Sequence, residues 1–160
     1  MNQIEDLICV HPFFAGLGQE FCLFVARCGI NQHYAGGQYL AHEGESAEAL
    51  FLIRKGNIAV ETKVPERGAV IIETLNDGDI AGWSWFFPPY LWSFDLHALT
   101  SVSVIALNAR CLRDKCEDDP RLGYEIAKRL ARMMTERLKN TRLRLLDLYK
   151  APPDLPHRGP

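Results

Sequence analysis

Residues 81–98, AGWSWFFPPYLWSFDLHA, gather the side chains best suited to hold a ligand. All three tryptophans of the chain, Trp83, Trp85 and Trp92, lie there with Phe86, Phe87, Tyr90 and Phe94, beside the hydroxyls of Ser84 and Ser93. Indole and phenyl rings bury large areas and stack on flat apolar molecules. Seven of the sixteen aromatic residues fall within twelve positions, around a Pro88-Pro89 pair that neither a helix interior nor a central strand tolerates. The stretch is therefore a plug, an interface or a pocket.

Reactive chemistry is thinner. His33, His42 and His97 are candidate axial ligands for a haem, but scattered histidines of this kind are more often surface or strand residues. A small barrel of the cupin type binds iron or manganese through a His-x-His pair with a nearby glutamate, and no such pair exists here; only Glu43 stands beside His42. No G-x-S-x-G occurs, and neither Ser84 nor Ser93 has a histidine at a spacing that predicts a nucleophile. The chain reads as non-enzymatic, without a metal, a cupin-type metalloenzyme being the remote alternative. Five cysteines, Cys9, Cys22, Cys28, Cys111 and Cys116, form no C-x-x-C pair, so the expectation is reduced, mostly buried thiols.

The elements that must position the aromatic stretch follow from hydrophobic periodicity. Residues 1–29 predict an N-terminal helical segment of two short helices: Ile4, Leu7 and Ile8 share one side of the first, and Phe21, Phe24, Val25 and Cys28 keep helical spacing in the second, which stops at Gly29. Over residues 30–108 short alternating or β-branched runs are separated by glycine-rich turns such as Gly36-Gly37, Lys55-Gly56-Asn57 and Asp77-Gly78-Asp79. Seven or eight strands of this kind predict a jelly-roll-like β-roll, so the fold class is α+β. After Asn108 the pattern turns helical: a short helix ends before Pro120, and a long one runs from there to about Tyr149, residues 109–150 together.

Along the long helix Leu122, Ile126, Leu130, Met133, Leu138, Thr141, Leu145 and Leu148 form one stripe. A helix about 40 Å long overhangs so small a barrel, and the cheapest cover for the overhang is the same helix of a second copy. Ile126, Leu130, Met133, Leu138, Thr141, Leu145 and Leu148 are thus the expected dimer face. Residues 121–150 also carry nine basic side chains against three acids, a local +6 that leaves −8 for the remainder. Such a face suits an acidic protein partner or the chain's own barrel. Residues 151–160, with four prolines, predict a disordered tail. The apolar runs are too short for a membrane span, and the polar start MNQIED lacks a secretory pattern, which points to a cytoplasmic protein with no membrane partner.

Three segments carry a resemblance: HPFFAGL, then YAGGQYLAHEGESAEALFLIRKGNIAVE, then LNDGDIAGWSW. With Gly37, Gly44, Gly56, Gly78, Asp79 and Gly82 at matching positions, residues 7–149 resemble the cyclic nucleotide-binding domain of the catabolite activator and protein kinase A regulatory families, as a stand-alone, bacterial-type, Crp/Fnr-like module. The resemblance implies a β-roll with a phosphate-binding cassette at 81–98. There a short helix offers its N-terminal amides to a cyclic phosphate, an arginine clamps that phosphate, and a glutamate binds the ribose. Here Gly82 matches, Trp83 stands in the glutamate's place, Trp92 in the arginine's, and Ser93 keeps the family's small hydroxyl. On the long helix, Arg137 and Leu138 fall where the catabolite activator touches the base. Arg54, Arg137 or a residue from a partner chain are the candidates to supply the missing charge. The chain ends about ten residues after Tyr149, so the helix-turn-helix of the transcription-factor branch, and sequence-specific DNA binding with it, is not expected.

The expected function is a dimeric regulatory or scaffold domain, with a protein partner, that does not bind cyclic AMP or GMP in the usual way. Gly82, Trp83, Ser84, Trp85, Trp92 and Ser93 line its candidate pocket, and Trp83, Trp85, Phe86 and Phe87 are the expected plug. No cofactor is expected. The alternatives are a sensor of a modified nucleotide, a haem or another flat apolar molecule, and a true cyclic nucleotide regulator.

Overall fold

The computed structural model describes residues 3–150; the proline-rich tail at 151–160 lies outside the described residues. Twelve elements follow in order: α1 (Gln3–Val10), α2 (Gln19–Arg27), β1 (Gly29–Tyr34), β2 (Tyr39–Ala41), β3 (Ala49–Lys55), β4 (Ile58–Val64), β5 (Gly68–Leu75), β6 (Ile80–Ala81), β7 (Asp95–Ala98), β8 (Val102–Asn108), α3 (Ala109–Asp118) and α4 (Pro120–Lys150). The strands form two antiparallel four-stranded sheets, β1-β8-β3-β6 and β2-β7-β4-β5. This is the β-roll with short N-terminal helices and a long C-terminal helix that the periodicity predicts.

Apolar side chains of both sheets meet between them. Ile53 of β3, Val104 of β8, Ile58 of β4 and Leu75 of β5 are fully buried there; Leu50 and Ile105 are buried on the other face of the first sheet, and Ile4, Ile8, Phe21 and Val25 are buried on α1 and α2. The turn after β3 shows why a glycine stands there: Gly56 has φ +104°, and a Cβ on it would meet Ser101 O at 2.5 Å. Only glycine reaches that conformation without strain.

Beside the end of α2, β8 hands the chain to the helices. Asn108 caps α3, its side chain accepting from Cys111 N, while its own N–H donates to Cys28 O at 2.9 Å. Cys28 and Cys111 are joined by a disulfide across 83 residues of sequence. That corrects the expectation of five free thiols. The pairing was invisible in the sequence because the strand register Gly29↔Leu107, not any local motif, brings the two cysteines together. Cys9, Cys22 and Cys116 remain free.

The long helix is held to the roll by arginines as well as by leucines. Leu122, Ile126 and Leu130 are buried against the domain itself. Arg129 donates to Phe13 O and Ala15 O at 2.7 and 2.8 Å, Arg137 donates to Ile80 O, and Arg144 donates to Ile72 O at 2.6 Å. From Leu138 onward the leucines turn outward. Ile126 and Leu130 are therefore consumed by the protomer's own core and leave the expected dimer face, a correction made by packing that periodicity cannot see. Among the described residues no helix is long and apolar enough to cross a membrane.

Candidate functional site

Between β4, β7, the 82–94 segment and α4 lies a cavity of about 20 Å³, lined by Val60, Leu75, Gly82, Trp83, Ser84, Trp92, Ser93, Phe94, Leu96 and Arg137. It has room for about one water molecule. The reason is Trp92, whose indole is 7% exposed and stacks on Phe51 with ring centroids 5.9 Å apart. A Cβ on Gly82 would sit 2.7 Å from the Trp92 ring, so glycine at 82, with φ +107°, is what lets the indole lie flat across the chamber. Trp83 closes the neighbouring side, edge-on to Phe94 at 5.7 Å. Ser84 and Ser93 face each other with their Oγ atoms 3.4 Å apart.

Most of the expected lining is thus together, but the plug is a different set. Trp92 and Trp83 fill the chamber; Trp85 is fully buried outside the lining, Phe86 packs edge-on against it at 5.3 Å, and Phe87 is largely exposed. Trp85 belongs to the junction with α3: its carbonyl accepts from Arg113 at 2.7 Å, and that guanidinium lies 4.2 Å from the Tyr90 ring centre. The short helix implied by the resemblance is absent from residues 82–94. Turns replace it, with Phe86 N donating to Trp83 O and Tyr90 N to Phe87 O. Five residues before Pro88-Pro89 leave no length for a helix whose amides could gather an anion.

One cation does reach the chamber. Arg137 lines it, with its guanidinium 5.6 Å from the Trp83 ring and Nε 3.6 Å from Glu73 Oε1. Burial lowers the proton affinity of Arg137 against the raising effect of Glu73 and Asp79. The same burial raises that of Glu73, partly countered by Arg137. Leu138, the other residue expected to face the pocket, points to solvent and is 70% exposed. One helical step turns a side chain by about 100°, so 137 and 138 cannot both look inward. Arg54 pairs with Asn31 at 3.0 Å, away from the lining.

None of the three candidate haem ligands lines the chamber. Leu96 faces inward, so strand alternation turns Asp95 and His97 to the other face. There His97 bonds Glu61 at 2.8 Å and stacks on Tyr39 at 4.3 Å, and His42 lies 3.7 Å from Asp95. His33 bonds Ser103 at 2.9 Å on the first sheet. Among the described residues no group of three or more histidine, cysteine, aspartate or glutamate side chains is placed to hold a metal ion.

Residues 31–119 match the family model described as the cyclic nucleotide-binding domain. The chain is 31% identical over 122 residues to the cAMP-activated global transcriptional regulator CRP of Salmonella typhimurium, an overlap of 74% of this chain and 54% of that protein. It spans about half the length of the curated relatives it matches. A cyclic nucleotide-binding domain from Methylobacillus flagellatus superposes with a TM-score of 0.75 at 21% identity, covering 95% of this chain and 84% of that one. The regulatory subunit of a cAMP-independent protein kinase A from Trypanosoma cruzi, bound to guanosine, superposes with a TM-score of 0.60 at 26% identity, covering 74% of this chain and 46% of that one.

Proposed function

Because this chain belongs to the cyclic nucleotide-binding domain family, we propose that it is a non-enzymatic regulatory or scaffold module whose pocket is closed from within by Trp92. The contact of that indole with Gly82 carries the reading. A carboxylate for the ribose and a guanidinium for the phosphate are each worth about 1.5–3 kcal/mol as charged hydrogen bonds. Losing both weakens binding by roughly a hundredfold to more than ten-thousandfold. Arg137 does not restore the phosphate clamp, since it is engaged by Glu73 and Ile80 O.

The module acts through its helices. Arg113 ties the 82–94 segment to α3 and Arg137 ties it to α4, so any change in the packing of that segment is felt at the junction near 110–119 and along the long helix. Leu138, Leu145 and Leu148, 70%, 54% and 76% exposed, need cover. A second copy about a two-fold axis supplies it, Met133 and Thr141 flanking the seam, and the basic flank of α4 then offers a docking face to an acidic protein.

Calorimetric titration with cyclic AMP and cyclic GMP tests the closed pocket. The expected outcome is no binding tighter than about 10 μM, and a tighter constant overturns it. A second reading rests on the serine hydroxyls and Arg137 that edge the chamber, and on the guanosine-bound relative: an uncharged nucleoside, needing no phosphate clamp, enters as Trp92 swings out. Guanosine in the same titration decides it, with saturable heat and a raised melting temperature favouring the sensor. A Soret band in the purified protein would point to haem instead.

A further inference from the structure

The Cys28–Cys111 bond stands at a mechanically sensitive place. Cys28 caps the end of α2, and Cys111 sits in the first turn of α3, the connector between the roll and the long helix. Both cysteines are half-buried rather than sealed in the core. Two of the free thiols are held back by burial. Burial pushes Cys22 up to about 11, helped by a hydrogen bond with Cys9, and burial likewise pushes Cys116 up to about 11. A thiol that stays protonated at neutral pH is a poor nucleophile.

The scaffold around the bond does not need it. The β1–β8 ladder begins at Gly29↔Leu107, and Asn108 is held both by Cys28 O and by its cap to Cys111 N. Those contacts keep the two Cα atoms near their 6.2 Å separation whether or not the sulfurs are joined. A pair presented in this way closes and opens without refolding the roll, and the part it restrains is α3, which carries Arg113 to the Trp85 carbonyl.

We propose that Cys28–Cys111 is a reversible redox clamp that fixes α3 to the end of α2 when oxidised and lets α3 open locally when reduced, while α4 stays held to the roll by its own leucines and arginines. The proposal does not rest on what the aromatic pocket binds. A small disulfide such as oxidised glutathione closes the clamp. The thiolate of one cysteine attacks it, its S–S bond breaks, and one glutathione thiolate leaves. The second cysteine, as thiolate, then attacks the mixed disulfide and expels the other glutathione. Two protein thiols lose a proton each, and two electrons pass to the two glutathione thiols.

The test uses the full chain equilibrated in glutathione buffers of graded ratio, acid-quenched, alkylated and mapped by mass spectrometry, with amide hydrogen exchange on the two end states. Expected are protection of Cys28 and Cys111 together in the oxidised state and their joint appearance on reduction. Exchange in residues 109–118 should then rise about tenfold or more while β3 and β8 stay protected. Cys111→Ser should match the reduced protein, and the reduced wild type supplies the same reading if that variant folds poorly. Alkylation of all five cysteines in the most oxidising buffer overturns the clamp. So does equal exchange of α3 in the two states, or collapse of β3 and β8 protection on reduction.

Discussion

Gly82 and Trp92 are a matched pair, and their coupling is measurable. Gly82→Ala meets two penalties, a side chain at φ +107° and a Cβ 2.7 Å from the indole. We expect a loss of about 2–4 kcal/mol in urea denaturation. Trp92→Ala should cost about 3–5 kcal/mol as a large-to-small core change. In that background the alanine at 82 should cost only its backbone share, about 1–2 kcal/mol; a fully additive cycle would mean the two do not touch. Glu73 supports a pH prediction. Burial raises its proton affinity above that of an exposed glutamate. A carboxyl of that kind lends stability below its unfolded range, and the contribution drains away as pH rises through the raised value. Relative to Glu73→Gln, the wild type should therefore lose melting temperature as pH climbs through the range just above that of an ordinary glutamate; parallel curves would contradict this. The excess of indole around 82–94 was legible in the sequence as an occupant of the chamber. Which indole occupies it was not, because Trp92 is selected by a glycine ten residues away that only the fold lays beneath it.

The long helix shows how two readings of one stripe divide. Leu122, Ile126 and Leu130 face the roll while Leu138, Leu145 and Leu148 do not, though all keep similar spacing. Periodicity marks an apolar face and is silent on where the domain beneath it ends; the break comes where arginines at 137 and 144 take over the contact with Ile80 O and Ile72 O. Two substitutions separate the halves. Leu130→Ala should destabilise the protomer by about 2–5 kcal/mol without changing its assembly. The double change Leu145→Lys with Leu148→Lys should halve the mass measured by light scattering and leave the protomer's urea midpoint, taken at dilutions where it is monomeric, unaltered. A monomeric wild type would remove the proposed seam. Elsewhere the alternating runs of residues 30–108 became paired strands, because alternation and glycine turns are local signals. The two-residue β6 was too short to register, and the helix implied for the cassette gave way to turns before Pro88-Pro89.

At the scale of the molecule, charge and apolar cover pull in opposite directions. The long helix carries +6 and the remainder −8. Pairing two such helices about a two-fold axis sets them about 8–10 Å apart, which is close to the Debye length of about 10 Å at 0.1 M salt. Each helix then meets a like-charged neighbour before it meets the partner's acidic roll, so repulsion opposes the burial of Leu138, Leu145 and Leu148. Screening at 0.5 M shortens the reach of that repulsion to about half the spacing. Dimerisation measured by sedimentation equilibrium should accordingly tighten several-fold between 0.1 and 0.5 M sodium chloride, with the gain reduced in a Lys139→Gln, Arg142→Gln variant. If salt loosens the dimer instead, the basic face of one protomer lies against the acidic roll of the other, and the seam must be redrawn so that opposite charges, not leucines, hold the two copies together.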